Sequence, residues 1–135
     1  MKRAAFLTLP LLLLAGPLPA QPAPDCGNAI TQLDLNLCAA AEYDAADRDL
    51  NRVWKQARAK AKELDAGLEG RLKGAEEALL AAQRGWIAYR DGHCTLAGFD
   101  ARGGSMEPML VSGCLAATTR LRTRELQDFV AGDQQ

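Results

Sequence analysis

Residues 31–65 read TQLDLNLCAAAEYDAADRDLNRVWKQARAKAKELD. Leu33, Leu37, Ala40, Ala41, Leu50, Val53, Trp54, Ala57, Ala61 and Leu64 recur at threes and fours, the spacing of an amphipathic helix. Thr31 suits the N-cap, because its side-chain oxygen can accept from a free N–H of the first turn. Asp34, three positions on, makes a partial capping box. Gly67, Gly70 and Gly74 crowd the stretch that follows, so this helix should stop near Asp65.

A second helix is predicted from about Leu68 or Arg71 to His93. Leu72, Leu79 and Trp86 lie seven apart, and Ala75, Ala82 and Tyr89 fill the same stripe. Gly85 inside it costs about 1 kcal/mol against alanine, which suggests close packing against a neighbour. Residues 97–108, rich in glycine and ending at Pro108, read as a loop. A third helix is predicted over about Glu107–Val130, with Leu110, Cys114, Ala117, Leu121 and Leu126 as its apolar stripe. No strand pattern of useful length occurs. The predicted fold is all-α, a small disulfide-bonded bundle of about three main helices.

Upstream, residues 1–20 read MKRAAFLTLPLLLLAGPLPA. Lys2 and Arg3 precede an apolar run from Phe6 to Ala15, and Ala20 offers a small residue at a cut: the pattern of a secretory signal peptide. The run is about half the roughly 20 residues a membrane span needs, so no stable membrane anchor is expected after cleavage. The expected organisation is a signal peptide over 1–20, a flexible Pro- and Asx-rich lead-in over 21–30, a helical domain over 31–130 and a frayed tail over 131–135. The protein should be periplasmic or secreted.

The 135 residues carry a formal net charge of −1, and 48% of them are hydrophobic. That fits one globular domain and argues against a nucleic-acid binder, which needs a basic face. Cleavage after Ala20 would remove Lys2 and Arg3 and no acid, making the mature chain more acidic. From Asp25 to Asn51 the acids are Asp25, Asp34, Glu42, Asp44, Asp47 and Asp49, and the one base is Arg48. Such an end can attract a cationic partner over distance, or simply be a solvated surface.

Cys26, Cys38, Cys94 and Cys114 make an even set in an exported chain, which reads as two structural disulfides. Three pairings are open. The sequential one, Cys26–Cys38 with Cys94–Cys114, is preferred, because each closes a short loop and could contribute about 3 kcal/mol. The first pair requires the chain to fold back. Twelve residues of straight helix span about 18 Å, and a disulfide reaches about 7 Å between Cα atoms. Zinc is the competing reading of four cysteines. No C-x-x-C pair is present, and no metal or cofactor is expected.

Side chains that could carry chemistry are few. His93 is the single histidine, directly before Cys94, and no G-x-S-x-G frames Ser105 or Ser112. Glu76 and Glu77 are adjacent, so on a helix they diverge and read as a solvated face. Trp54, Trp86 and Tyr89 fall on apolar stripes and read as packing. Tyr43, Asp47, Asn51, Arg90, Asp91, Arg120 and Arg122 stand beside those stripes and read as interhelical salt bridges and hydrogen bonds. No catalytic residue is assigned.

Three stretches together resemble the LprI-type family of exported bacterial proteins, the lysozyme inhibitor LprI N-terminal-like domain, which includes the YecT proteins. Thr31-Gln32 with Asn36, Cys38, Tyr43, Asp47, Leu50 and Asn51 resembles its T-Q-x-x-x-N-x-C and A-D-x-x-L-N signatures. Gln83-Arg84-Gly85-Trp86-Ile87, then Tyr89-Arg90-Asp91 and Cys94, resembles Q-R-x-W-I-x-x-R-D-x-x-C. Gly103-Gly104-Ser105, then Cys114-Leu115-Ala116, Thr118, Thr119, Arg120, Arg122 and Leu126, resembles its G-G-S and C-L-x-x-x-T-x-x-R-x-x-x-L ending. The likeness covers about residues 26–129. Trp54 stands where the family often has Tyr, and Gly85 where it often has Ala.

The resemblance implies a helical, disulfide-bonded envelope domain and, for at least one relative, inhibition of lysozyme. It brings no catalytic residue with it. Lysozyme is therefore the expected partner, and an acidic protein would be steered toward the many strongly basic lysozymes. The lysozyme cleft holds a catalytic Glu and Asp. A rigid loop could insert a basic or hydroxyl group there, and Arg102, Gly103, Gly104 and Ser105 are the candidate binding residues. The alternative is a non-enzymatic interaction module binding another envelope protein. A hydrolase would need His93 paired with a carboxylate in a pocket.

Overall fold

The computed structural model describes residues 24–132. The predicted signal peptide, residues 21–23 of the lead-in and residues 133–135 of the tail lie outside the described residues. Among the described residues there are three α-helices: α1 (Gln32–Ala66), α2 (Ala75–Ala97) and α3 (Glu107–Ala131). Short 3-10 turns stand at Gly70–Leu72 and Gly98–Ala101. Among the described residues there is no strand, and no helix is long and apolar enough to cross a membrane.

Helix α1 starts where the capping pattern places it. The Thr31 side chain accepts from the Asp34 N–H at 3.1 Å, and its hydroxyl donates to the Asp34 carboxylate at 2.6 Å. Helix α2 starts later than predicted, at Ala75 instead of Leu68 or Arg71. Gly74 at φ +142° occupies backbone space that side chains disfavour, so helix cannot run through it. Asp65, in the last turn of α1, then caps α2. Its Oδ1 accepts from the Gly74 and Ala75 N–H groups at 2.8 and 2.9 Å, and its Oδ2 from Glu76 at 3.0 Å. Those three donors, Glu76 first, hold the Asp65 carboxyl below its ordinary value of 3.8.

Asn36 near the start of α1 meets Ser105 just before α3, and Glu42 farther along meets Arg120. The two helices therefore run parallel, with the most extensive interface in the molecule. Helix α2 runs back antiparallel alongside this pair, in up-down-up order. The core sits toward the far end of the bundle. It joins Leu50, Val53, Ala57 and Ala61 of α1 to Leu79 of α2 and Leu126 of α3, with Trp54, Trp86 and Phe129 packed around them.

Several predicted stripe residues face solvent. Leu33, Leu37 and Leu64 of α1 are exposed, and the buried line is Cys38, Ala46, Leu50, Val53, Ala57 and Ala61. On α3 the buried line is Ala116, Thr119, Thr123 and Leu126, which leaves Ala117 and Leu121 outside. Leu72 precedes α2 and is exposed, and Tyr89 is exposed and stacks on His93 at 5.4 Å. Gly85 does not mark a close approach, since a Cβ there would meet nothing within 4 Å. Gly98 does: a Cβ there would lie 2.6 Å from Val111 Cγ2. Only glycine lets the turn after α2 sit this close to α3.

Candidate functional site

Both disulfides form, in the sequential pairing: Cys26–Cys38 and Cys94–Cys114. The first folds the lead-in back onto α1, as its spacing required. Residues 25–28 make the turn. The Asp25 carboxylate accepts from the Gly27 N–H at 3.0 Å and from the Asn28 side chain at 2.8 Å. The second bridge joins the end of α2 to the first half of α3, so the two disulfides gather at one end of the bundle.

At that end lies the connection from Gly98 to Met106, held from both sides. Asn36 Nδ2 donates to the Ser105 carbonyl oxygen at 2.9 Å and also keeps Gln32 by accepting from its amide at 2.9 Å. Glu107, in the first turn of α3, accepts from the Gly103 N–H at 2.8 Å and from the Arg102 guanidinium. The Gly103 amide foremost, then Arg102, keep the Glu107 carboxyl below its ordinary value of 4.5. The Arg102 guanidinium also lies over the Phe99 ring, 4.6 Å from its centroid. Arg102, Gly103, Gly104 and Ser105 are all exposed, on a loop whose shape is fixed by its neighbours. Asn36, Glu107 and Phe99 do this fixing, and of these only Asn36 belongs to the motifs read from the sequence. The signal for Glu107 was its position just after a Gly-Gly-Ser turn, ahead of Pro108 at a helix start.

The remaining motif residues fall in two other places. Arg90 of α2 is 9% exposed. Its guanidinium lies 4.9 Å from the Trp86 ring centroid and 5.7 Å from that of Tyr43. It donates to Asp91 at 2.8 and 2.9 Å and reaches Asp47 of α1 at 4.0 Å. Asn51 donates to the same Asp47 at 2.8 Å. Tyr43, Asp47, Asn51, Trp86, Arg90 and Asp91 thus form one junction between α1 and α2. Arg120 donates to Glu42 at 3.1 Å across α3 and α1. Arg122 donates to Gln83 of α2 at 3.0 Å and to Glu125 at 2.8 Å. These groups join helices, and only Asn36 reaches the loop.

His93 is exposed against Tyr89, away from Ser105 and Ser112 in the chain and paired with no carboxylate among the described residues. Among the same residues no group of three or more His, Cys, Asp or Glu side chains is placed to hold a metal ion. The arrangement offers a rigid, exposed loop and a set of interhelical ties.

A short three-helix bundle with both disulfides closing one end defines a class: small, cross-linked all-α proteins of the kind that fold in oxidising compartments. Within that class, the family model described as Lysozyme inhibitor LprI matches residues 24–126. The chain belongs to the lysozyme inhibitor LprI family. It is also 53% identical over 133 residues to a protein of Rhizobium meliloti (strain 1021) described as "Uncharacterized protein R02472", covering 95% of this chain and 96% of the relative. No solved structure matches the chain.

Proposed function

We propose that the protein is exported and binds and inhibits a lysozyme in the cell envelope. The observation that carries this reading is its membership of the lysozyme inhibitor LprI family over residues 24–126. The two disulfides support an oxidising location outside the cytoplasm. The acidic first half of α1 supports attraction to a basic enzyme.

The loop Arg102–Ser105 is the segment proposed to enter the lysozyme cleft. Support comes from its exposure and from the bonds that fix it before any partner arrives, which lower the ordering cost of binding. The test is cell-wall lysis by several lysozyme classes at moderate salt, with the oxidised mature protein titrated in. Loss of lysis with at least one class is expected. Full lysis with every class, from a folded protein, would contradict the reading and favour an interaction module for another envelope protein.

A further inference from the structure

The lead-in, α1 and α3 enclose a cleft of about 520 Å³ at the disulfide end. Cys26, Cys38 and Cys114 all line it, so both disulfides frame one cavity. Leu35, Met109 and Leu110 give it apolar surface. Gly113 borders it, and a Cβ there would meet no atom within 4 Å. Its one charged lining residue is Glu42. Ile30, 88% exposed, and Leu33, 66% exposed, stand on the same stretch of chain, where a solvated surface would carry polar groups.

The net charge around this cleft is negative. Residues 24–48 and 102–120, which build this end, contain Asp25, Asp34, Glu42, Asp44, Asp47 and Glu107 against Arg48, Arg102 and Arg120. Most of the arginines nearby are engaged, Arg90 with Asp91 and Asp47, Arg102 with Glu107 and Arg120 with Glu42, while Arg48 is exposed. An apolar cleft in an anionic surface fits a cationic protein that presents an apolar side chain. A second copy of this chain would bring two anionic ends together, and an anionic lipid surface would be repelled.

We propose that this disulfide-framed cleft is the docking surface for lysozyme, receiving an apolar side chain from the basic enzyme while the neighbouring loop faces its active site. The proposal rests on the inhibitor reading above. It adds a surface that the loop alone does not supply: cross-linked, apolar and set in acid.

The test compares Gly113→Arg with Gly113→Ala, both checked for helicity and melting, in a direct titration against a lysozyme that the wild type inhibits. The Cβ that either substitution adds meets no atom within 4 Å, and both residues favour helix more than glycine does. Gly113→Arg should bind at least about tenfold more weakly than Gly113→Ala. A second measurement uses the wild type alone. Met109 lines the cleft and Met106 borders the loop, so their methyl NMR signals report the two surfaces separately. The Met109 methyl signal should shift when lysozyme binds.

Gly113→Arg binding as tightly as Gly113→Ala, or a Met109 signal unmoved in the complex, would overturn the cleft while leaving the inhibitor reading intact. A wild type that binds no lysozyme would overturn both. Should Gly113→Arg fail to fold, the Met109 signal decides.

Discussion

Asn36 Nδ2 donates to the carbonyl oxygen of Ser105 across 2.9 Å, and this bond fastens the loop before α3 to the second turn of α1. The two residues are 69 positions apart in the chain. On the other side of the loop, Glu107 grips Gly103 and Arg102. A segment held at both ends by side chains outside it keeps its shape without a partner, as an inhibitory loop requires.

Asn36→Ala should therefore loosen the loop without unfolding the bundle. The expected stability loss is about 1 kcal/mol, the net worth of one such hydrogen bond. Inhibition should weaken more than melting suggests, because the free loop must be ordered again on binding. Parallel measurements of melting and of inhibition check this. Unchanged inhibition would separate the loop from function.

Thr119 is fully buried against the helices, and its hydroxyl finds no hydrogen-bond partner among the described residues. Thr119→Val keeps the shape and removes the polar atom. It should stabilise the protein by about 1 kcal/mol, seen as a higher midpoint in urea with unchanged slope. A lower midpoint would mean that the hydroxyl is satisfied.

Asp65 gives a pH dependence whose sign follows from its capping role. The carboxylate is stabilised in the folded protein, so its pKa there lies below 3.8. Its contribution is fully present above the ordinary carboxyl range and is lost as pH falls through the depressed folded value. Asp65→Asn should melt at a lower temperature than wild type at pH 7, and the gap should close as pH falls below 3.8. A gap independent of pH would assign the loss to something other than the charge.

Arg90 should tolerate no conservative exchange. Its planar guanidinium meets the Trp86 and Tyr43 rings and forks onto Asp91, which an ammonium cannot do. Arg90→Lys should cost about 1–3 kcal/mol in chemical denaturation. Inhibition by the folded fraction should stay intact, because this junction lies away from the loop. Loss of inhibition at full folding would make Arg90 a contact residue.

Much of this architecture was legible in the sequence because it rests on local chemistry. Thr31 with Asp34 marks a helix start, and the cysteine spacings favour a sequential pairing that the structure contains. Pattern failed where apolar character and burial part company. Leu33 and Leu37 looked like core because α1 is rich in alanine, which permits more than one buried face. Thr119 and Thr123 are buried instead of Leu121, because small side chains let α1 and α3 approach along their length. The start of α2 was misplaced because its cap, Asp65, is supplied by another helix, 9–11 residues upstream. The turn at Arg102–Ser105 is legible from its glycines. The grip of Asn36 and Glu107 on it is not, since that depends on how the elements meet.

The most direct test of the inhibitor account is a titration of active lysozyme with the oxidised mature protein, at enzyme concentrations well above the dissociation constant. Lytic activity should fall linearly and end at one inhibitor per enzyme. Activity that stays constant throughout, with a protein that is folded and disulfide-bonded, would contradict it.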